Sequence, residues 1–311
     1  MDIMVTFTHI LCPIDFSEPS KRALRYATAF AEWHHARLAL MHVAPSFEPA
    51  LVTPALNEST GEVVYPVTRD DILESLRREA KTTAGAPSNV EVEVIAESGS
   101  TVSLIVDRAV AWPADLVVIG THGFSGFDRL LLGSVAERVM HRAPCPVLTV
   151  PPAAHAVSPA PIAIQRILCP VDFAPSSHVA VGFALDLARQ VGGAVTLLHV
   201  VEWPDNGEPR TDAHFNLPEY LLQLMADARD RLQTLAPRRE GGQSVAHVVV
   251  PGRPKSQILA HAADEGADLI VMGAQGREGI GLALLGSTTE RVVRDAACPV
   301  LTVRGVPIGP S

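Results

Sequence analysis

The chain is written twice, and that duplication constrains the fold before any local pattern does. Residues 10–17 read ILCPIDFS and residues 167–174 read ILCPVDFA, with six of eight positions identical at an offset of 157. Residues 115–150 and 268–303 match at 20 of 36 positions without a gap, now at an offset of 153. The first copy therefore carries a net four extra residues between its ends. A unit of about 150 residues is a whole domain rather than a solenoid repeat. The 311 residues accordingly divide into domains at 1–151 and 166–311, with a linker over 152–165. The stretch PPAAHAVSPAPIAIQ at this junction is rich in Pro and Ala and nearly uncharged, as a semi-rigid spacer requires.

Within the first copy, short apolar runs alternate with helical patterns. Strands are expected at 9–14, 37–43, 90–96, 116–119 and 146–150, and helices at 18–34, 69–84, 100–112 and 134–142. Ser17 is the candidate N-cap of the first helix, and 90–96, which alternates apolar and acidic residues, reads as an exposed edge strand. A Pro-containing loop is expected over 45–68. The second copy repeats the order, with strands near 166–171, 194–200, 245–250, 269–272 and 299–303. Strands that alternate with helices argue for a parallel sheet covered on both faces. The expected fold class is α/β, as two tandem, doubly wound, five-stranded parallel-sheet domains with a flavodoxin-like order.

Composition removes several alternatives. With 47% hydrophobic and 19% charged residues the chain is globular rather than disordered. No apolar run reaches the roughly 18 residues of a membrane span, and the N-terminal residues lack a basic start and a cleavage site. The net charge of −9 disfavours nucleic acid and anionic membranes as partners. Cys12, Cys145, Cys169 and Cys298 each precede proline and form no CxxC, so they read as small buried apolar residues. A reduced, cytoplasmic protein is expected.

In open α/β sheets, ligands bind beyond the carboxyl ends of strands, where the winding reverses. That point lies between the first and fourth strands of each copy, which end at Asp15 and Gly120 in the first. Gly120 and Gly123 are followed by nine residues and then Gly133-Ser134; Gly273, Gly276, Gly286 and Ser287 repeat that spacing in the second copy. Glycines let a backbone approach a ligand closely. The final Gly-Ser opens a helix, whose free N–H groups and positive dipole end suit a phosphate. The pattern is neither a Walker A loop, which needs Gly-Lys-Ser/Thr, nor a GxGxxG after the first strand. Glycines after a strand also serve plain turn chemistry, and duplication copies structural glycines as well as functional ones.

The leading ILCPIDFS and ILCPVDFA, the LMHV and LLHV that end the second strands, the G-x2-G-x9-G-S loops and the closing CPVLTV occur in order, twice. On these segments the chain resembles the universal stress protein family in its tandem form, over nearly its whole length. The resemblance implies an adenine nucleotide alpha hydrolase-like fold, with domains related by a pseudo-two-fold axis through their final strands. Further homodimerisation of the tandem unit stays open. Members with this glycine loop bind ATP. Carried over, Asp15, Val43 and Ile119 would lie at the adenine and ribose end. Gly120, His122 and Gly123 would border the ribose and phosphates, and Gly133, Ser134 and Val135 would bind phosphate. The matching positions are Asp172, Val200, Met272, Gly273, Gly276, Gly286, Ser287 and Thr288. Gln275 stands where the first copy has His122; it can hydrogen-bond but cannot become cationic. A triphosphate would bring Mg²⁺ or Mn²⁺, held mainly by phosphates and waters.

Other polar residues read as structural. His42 and His199 are equivalent but belong to different domains, with no ligand spacing around them, so strand-end packing is expected. Asp15 lacks a paired carboxylate or nucleophile, which favours binding or capping over catalysis. Ser134 is not in GxSxG. The expected function is an ATP-binding, stress-response sensor or regulator with an unidentified protein partner, and no catalytic residue is assigned. A slow ATPase or nucleotide-transferring enzyme is the alternative, although Asp15-Phe16-Ser17 stands where such transferases carry HxGH. An interaction module with empty pockets is the third reading.

Overall fold

The computed structural model describes residues 6–45, 55–56, 63–64, 68–83, 90–121, 132–152, 154, 161–202, 217–236, 244–275 and 285–304. The first copy runs β1 (His9–Pro13), α1 (Glu18–His34), β2 (Arg37–Ala44), β3 (Ala55–Leu56), β4 (Val63–Val64), α2 (Arg69–Thr83), β5 (Val92–Ser98), α3 (Thr101–Ala111), β6 (Leu116–Gly120), α4 (Ser134–Arg142) and β7 (Val147–Val150). The second runs β8 (Arg166–Pro170), α5 (Pro175–Val191), β9 (Ala194–Glu202), α6 (Leu217–Leu235), β10 (Val245–Gly252), α7 (Pro254–Asp264), β11 (Leu269–Gly273), α8 (Ser287–Asp295) and β12 (Val300–Val303). The alternation expected from sequence is thus present in both halves. The short antiparallel pair β3–β4 lies inside the stretch expected to be loop. Its strands are two residues each, too short to carry a periodic signal.

Helix α1 illustrates how locally the sequence dictates an element. Ser17 caps it, accepting the Ser20 N–H at 3.4 Å, and Glu18 and Pro19 occupy its first turn. Ala23, Ala27, Phe30 and Ala31 lie on its buried side. It ends where His35 turns left-handed at φ 53° and donates its N–H back to the last turn.

Within each copy the five strands of the main sheet are parallel and the winding reverses at the first of them, so β1 lies between β2 and β6, and β8 between β9 and β11. Alternate residues of one strand point to opposite cores. Ile10 and Cys12 of β1 enter the cluster beneath α1, α2, α5 and α6, whereas Leu11 enters the one beneath α3, α4, α7 and α8. Cys12, Cys145 and Cys169 are buried and Cys298 half-buried, all as free thiols. Burial pushes the Cys145 and Cys298 thiols up to about 12 and those of Cys12 and Cys169 higher still, so they stay protonated at neutral pH. No helix among the described residues is long and apolar enough to cross a membrane.

The two copies share one ten-stranded sheet, because β7 and β12 pair antiparallel in the register Thr149–Val300, Leu148–Leu301 and Val147–Thr302. Two buried threonines reinforce this seam symmetrically. Thr149 Oγ1 donates to the Val300 carbonyl and Thr302 Oγ1 to the Val147 carbonyl, both at 3.1 Å. Both apolar clusters contain residues of both copies. Phe7 reaches across to Phe183 with ring centroids 6.1 Å apart, and it also packs edge-on against His34 at 4.8 Å.

His34 sits in this aromatic seam with its Nδ1 accepting the Phe7 N–H at 3.4 Å and its Nε2 without a hydrogen-bond partner among the described residues. Burial lowers its pKa from 6.5 to about 4. The unfolded chain protonates this imidazole near pH 6.5 and the folded chain only near pH 4, so the stabilisation is whole above the higher value and lost as pH falls towards the lower. Its full size is about 3 kcal/mol. His34→Gln keeps an acceptor but cannot titrate. Urea unfolding at about pH 7.5 and about pH 5 should show a steeper loss for the natural chain than for this variant; equal slopes would remove His34 as the cause.

Candidate functional site

Both copies enter their first helix through the same strained turn. After β1 the chain passes Asp15, Phe16 and Ser17, and after β8 it passes Asp172, Phe173 and Ala174. Phe16 and Phe173 have φ of 64° and 63°, a left-handed conformation unusual for a bulky residue. The aspartate holds the turn. Asp15 Oδ1 accepts the Ser17 N–H at 3.0 Å and the Ser17 hydroxyl at 2.5 Å. Asp172 Oδ1 accepts the Ala174 N–H at 3.0 Å and, with no hydroxyl on Ala174, the hydroxyl of Ser177 instead. The aspartate N–H donates to Ser20 Oγ at 3.4 Å in the first copy and to Ser177 Oγ at 3.2 Å in the second. Through these contacts Asp15 and Asp172 hold the turns that lead into α1 and α5.

The strand-end histidines brace the same turn. His42 Nδ1 pairs with the Ile14 carbonyl and His199 Nδ1 with the Val171 carbonyl, both at 2.7 Å. Nδ1 is therefore the protonated nitrogen of each ring. Phe16 packs on His42 and Phe173 on His199, with ring centroids 4.9 and 4.6 Å apart. In the second copy Arg231 of α6 stacks over the Phe173 ring at 3.8 Å. No group of three metal-ligating side chains occurs among the described residues.

Beside this turn lies the end of β6 or β11. A Cβ on Gly120 would stand 3.0 Å from the Pro19 carbonyl oxygen, and one on Gly273 would stand 2.9 Å from the Ser176 backbone. The first glycine of each loop thus suits the close packing of the strand end on the first turn of α1 or α5, more tightly in the second copy. Thr121 and Ala274 then donate their N–H groups to the ends of β7 and β12, through the Val150 carbonyl at 3.0 Å and the Val303 carbonyl at 2.7 Å. His122, Gly123 and Gly276 lie outside the described residues.

The second glycine pair is different. Gly133 and Gly286 open α4 and α8 at φ −59° and −65°, backbone that any residue can adopt, and as N-cap residues they make no side-chain cap bond. Their N–H groups donate to the Thr121 and Ala274 carbonyls at 2.7 Å, which ties each helix entrance to the strand end. The first N–H groups of such a helix have no partner within it. Ser134 and Ser287 are exposed at this end, followed by half-buried Val135 and Thr288. Val43, Ile119, Leu132 and Val135 meet against one apolar cluster, as do Val200, Met272 and Leu285. The side chains expected around an adenine and the helix start expected around phosphates therefore share one side of the sheet. Helix α8 adds Thr289, whose hydroxyl donates to the Gly273 carbonyl at 2.9 Å where the first copy has Ala136. Ser176 Oγ donates to the Gln275 carbonyl, whereas its counterpart Pro19 has no donor.

Sequence reasoning missed Ser20, Ser177, Ser176 and Thr289. For the first two a signal existed, since both copies carry serine five residues after the aspartate.

The universal stress protein family model matches residues 6–151 and 163–304, and the chain belongs to that family. It is 28% identical over 304 residues to a universal stress protein of Mycolicibacterium smegmatis, covering 95% of this chain and 96% of that one. A universal stress protein of Mycobacterium tuberculosis is 30% identical over 306 residues, with 95% and 96% coverage. Among solved structures, a universal stress protein of Archaeoglobus fulgidus superposes with a TM-score of 0.62 at 22% identity, covering 95% and 96% of the two chains, which shows the shared fold.

The crowding at the two strand ends differs in degree. Gly120→Ala should cost about 1 kcal/mol and Gly273→Ala about 2 kcal/mol, because the added methyl meets Ser176 in the second copy more closely. Denaturant midpoints of the two variants measure the order, and equal midpoints to the natural chain would show that the first turns of α1 and α5 give way freely.

Proposed function

We propose that the chain binds an adenine nucleotide, ATP foremost, at the carboxyl end of each half of its sheet, and that occupancy serves as a regulatory signal in a stress response. The supporting observation is the pair of glycine-opened helices α4 and α8. Their backbone angles do not call for glycine and the glycines themselves offer no side-chain cap, so a phosphate would meet the N–H groups of each first turn without a competing cap from that position. Val43 and Ile119, with Val200 and Met272 in the second copy, would wall the base. Asp15 and Asp172 would stand at its ribose end, and Gly120, His122 and Gly123, with Gly273 and Gly276, would line the way to the phosphates. Gly133, Ser134 and Val135, with Gly286, Ser287 and Thr288, would receive the phosphates. A divalent cation, Mg²⁺ or Mn²⁺, would neutralise the triphosphate.

On this reading the folding units are 1–151 and 166–311, joined by 152–165, and the protein works in the cytoplasm. A partner that binds loaded and empty forms with different affinity would read the signal. The chain's own groups bind and orient the nucleotide. Asp15 and Asp172, already engaged in holding a helix entrance, would contribute little to proton transfer.

Freshly purified protein should release adenine nucleotide on denaturation, identified by mass spectrometry. Isothermal titration should give two ATP sites per chain, and Gly133→Val with Gly286→Val should abolish both while leaving the fold intact by circular dichroism. Retained stoichiometry in that double variant would overturn the assignment. Many turnovers of ATP per minute with Mg²⁺ would make the protein an enzyme instead.

A further inference from the structure

Helices α4 and α8 are equivalent, yet their C-terminal ends are held by different means. Arg304, which follows β12, donates from Nη2 to the Met140 carbonyl at 3.0 Å and to the His141 carbonyl at 2.6 Å, in the last turn of α4. The anchor of α4 thus comes from the other copy, across the β7–β12 seam. The residue equivalent to Arg304 in the first copy is Pro151, which has no side-chain donor and whose carbonyl accepts the Ala154 N–H at 3.1 Å as the chain turns away. No reciprocal contact to α8 can come from that position. Helix α8 is tied within its own copy instead. Asp295, its last residue, pairs with Lys255 of α7 and accepts Arg294 Nε at 3.1 Å. The equivalents of Lys255 and Asp295 in the first copy are Val102 and Arg142, which cannot form that pair.

These helices are nine residues long, so each measures only roughly 13 Å from end to end. A cation on the last carbonyls complements the helix dipole and fixes the terminal turn. In a rod this short, holding one end orients the other.

We propose that Arg304 is a positioning residue for the first copy's nucleotide site: the second copy holds α4 from across the seam, so that site one is completed by both halves while site two is built within its own. The functional part rests on the nucleotide reading above; the holding of α4 does not.

The full-length chain tests it. Hydrogen exchange without nucleotide should show amides 138–143 of α4 exchanging about tenfold faster in Arg304→Ala, with α8 unchanged. Arg304→Lys, which keeps a cationic donor, should recover part of the protection. Lys255→Ala should give the opposite pattern, loosening α8 alone. ATP titration in a Gly286→Val background reads site one. There Arg304→Ala should weaken binding about tenfold and Arg304→Lys less so, whereas in a Gly133→Val background, which reads site two, Arg304→Ala should leave affinity unchanged. Unchanged exchange in α4, or equal loosening of α4 and α8, would overturn the proposal. If the natural chain takes up no ATP at either site, the nucleotide reading fails and the exchange experiment alone decides the role of Arg304.

Discussion

A strand buried on both faces cannot end a sheet without leaving backbone N–H and C=O groups unpaired, and each such group in an interior costs about 1–3 kcal/mol. Strands β7 and β12 are buried along their whole length and are hydrogen-bonded by their own copy on one side only. Their antiparallel union satisfies the other side of both. The consequences reach the rest of the molecule: ten strands form one sheet, the apolar clusters on both faces run through the seam, and the threonines at 149 and 302 repeat the same bond in opposite directions.

The two halves keep one backbone and solve its hydrogen bonds with different side chains. The aspartate after the first strand is held by Ser17 in one copy and by Ser177 in the other. The tip of the fourth strand packs on Pro19 in one and on Ser176 in the other, where the serine also reaches a loop carbonyl. What stays constant is geometry: the left-handed phenylalanine, the histidine on the preceding carbonyl and the helix start opened by glycine. Such a division is expected when backbone shape is under tighter constraint than the identity of the groups that stabilise it.

Much of this was legible in the sequence because it is periodic or repeated. The short apolar run around Ile10-Leu11-Cys12 announced a strand, Ser17 announced a helix start, and the doubled ILCP and CPVLTV announced two equivalent halves. Glycine was harder to read. Gly120 and Gly133 look alike in a spacing pattern, yet the first is crowded by the Pro19 carbonyl, and the second sits at dihedral angles open to any residue. Only the fold separates a glycine crowded by its neighbours from one whose dihedral angles suit any residue. The left-handed Phe16 was invisible, since nothing in a phenylalanine codon position signals positive φ, and Arg304 was invisible because its partners are backbone carbonyls more than 160 residues away.

Two separate identical subunits meeting at such strands would be obliged to present the same surface twice, so every replacement at the contact would appear in duplicate. Covalent fusion lifts that obligation. Position 304 can carry arginine while 151 carries proline, and the joint acquires a direction that no homodimer with two-fold symmetry could have. One gene copy of the seam can then drift towards support and the other towards departure into the connecting chain, which makes the fused pair an evolvable heterodimer inside a single polypeptide.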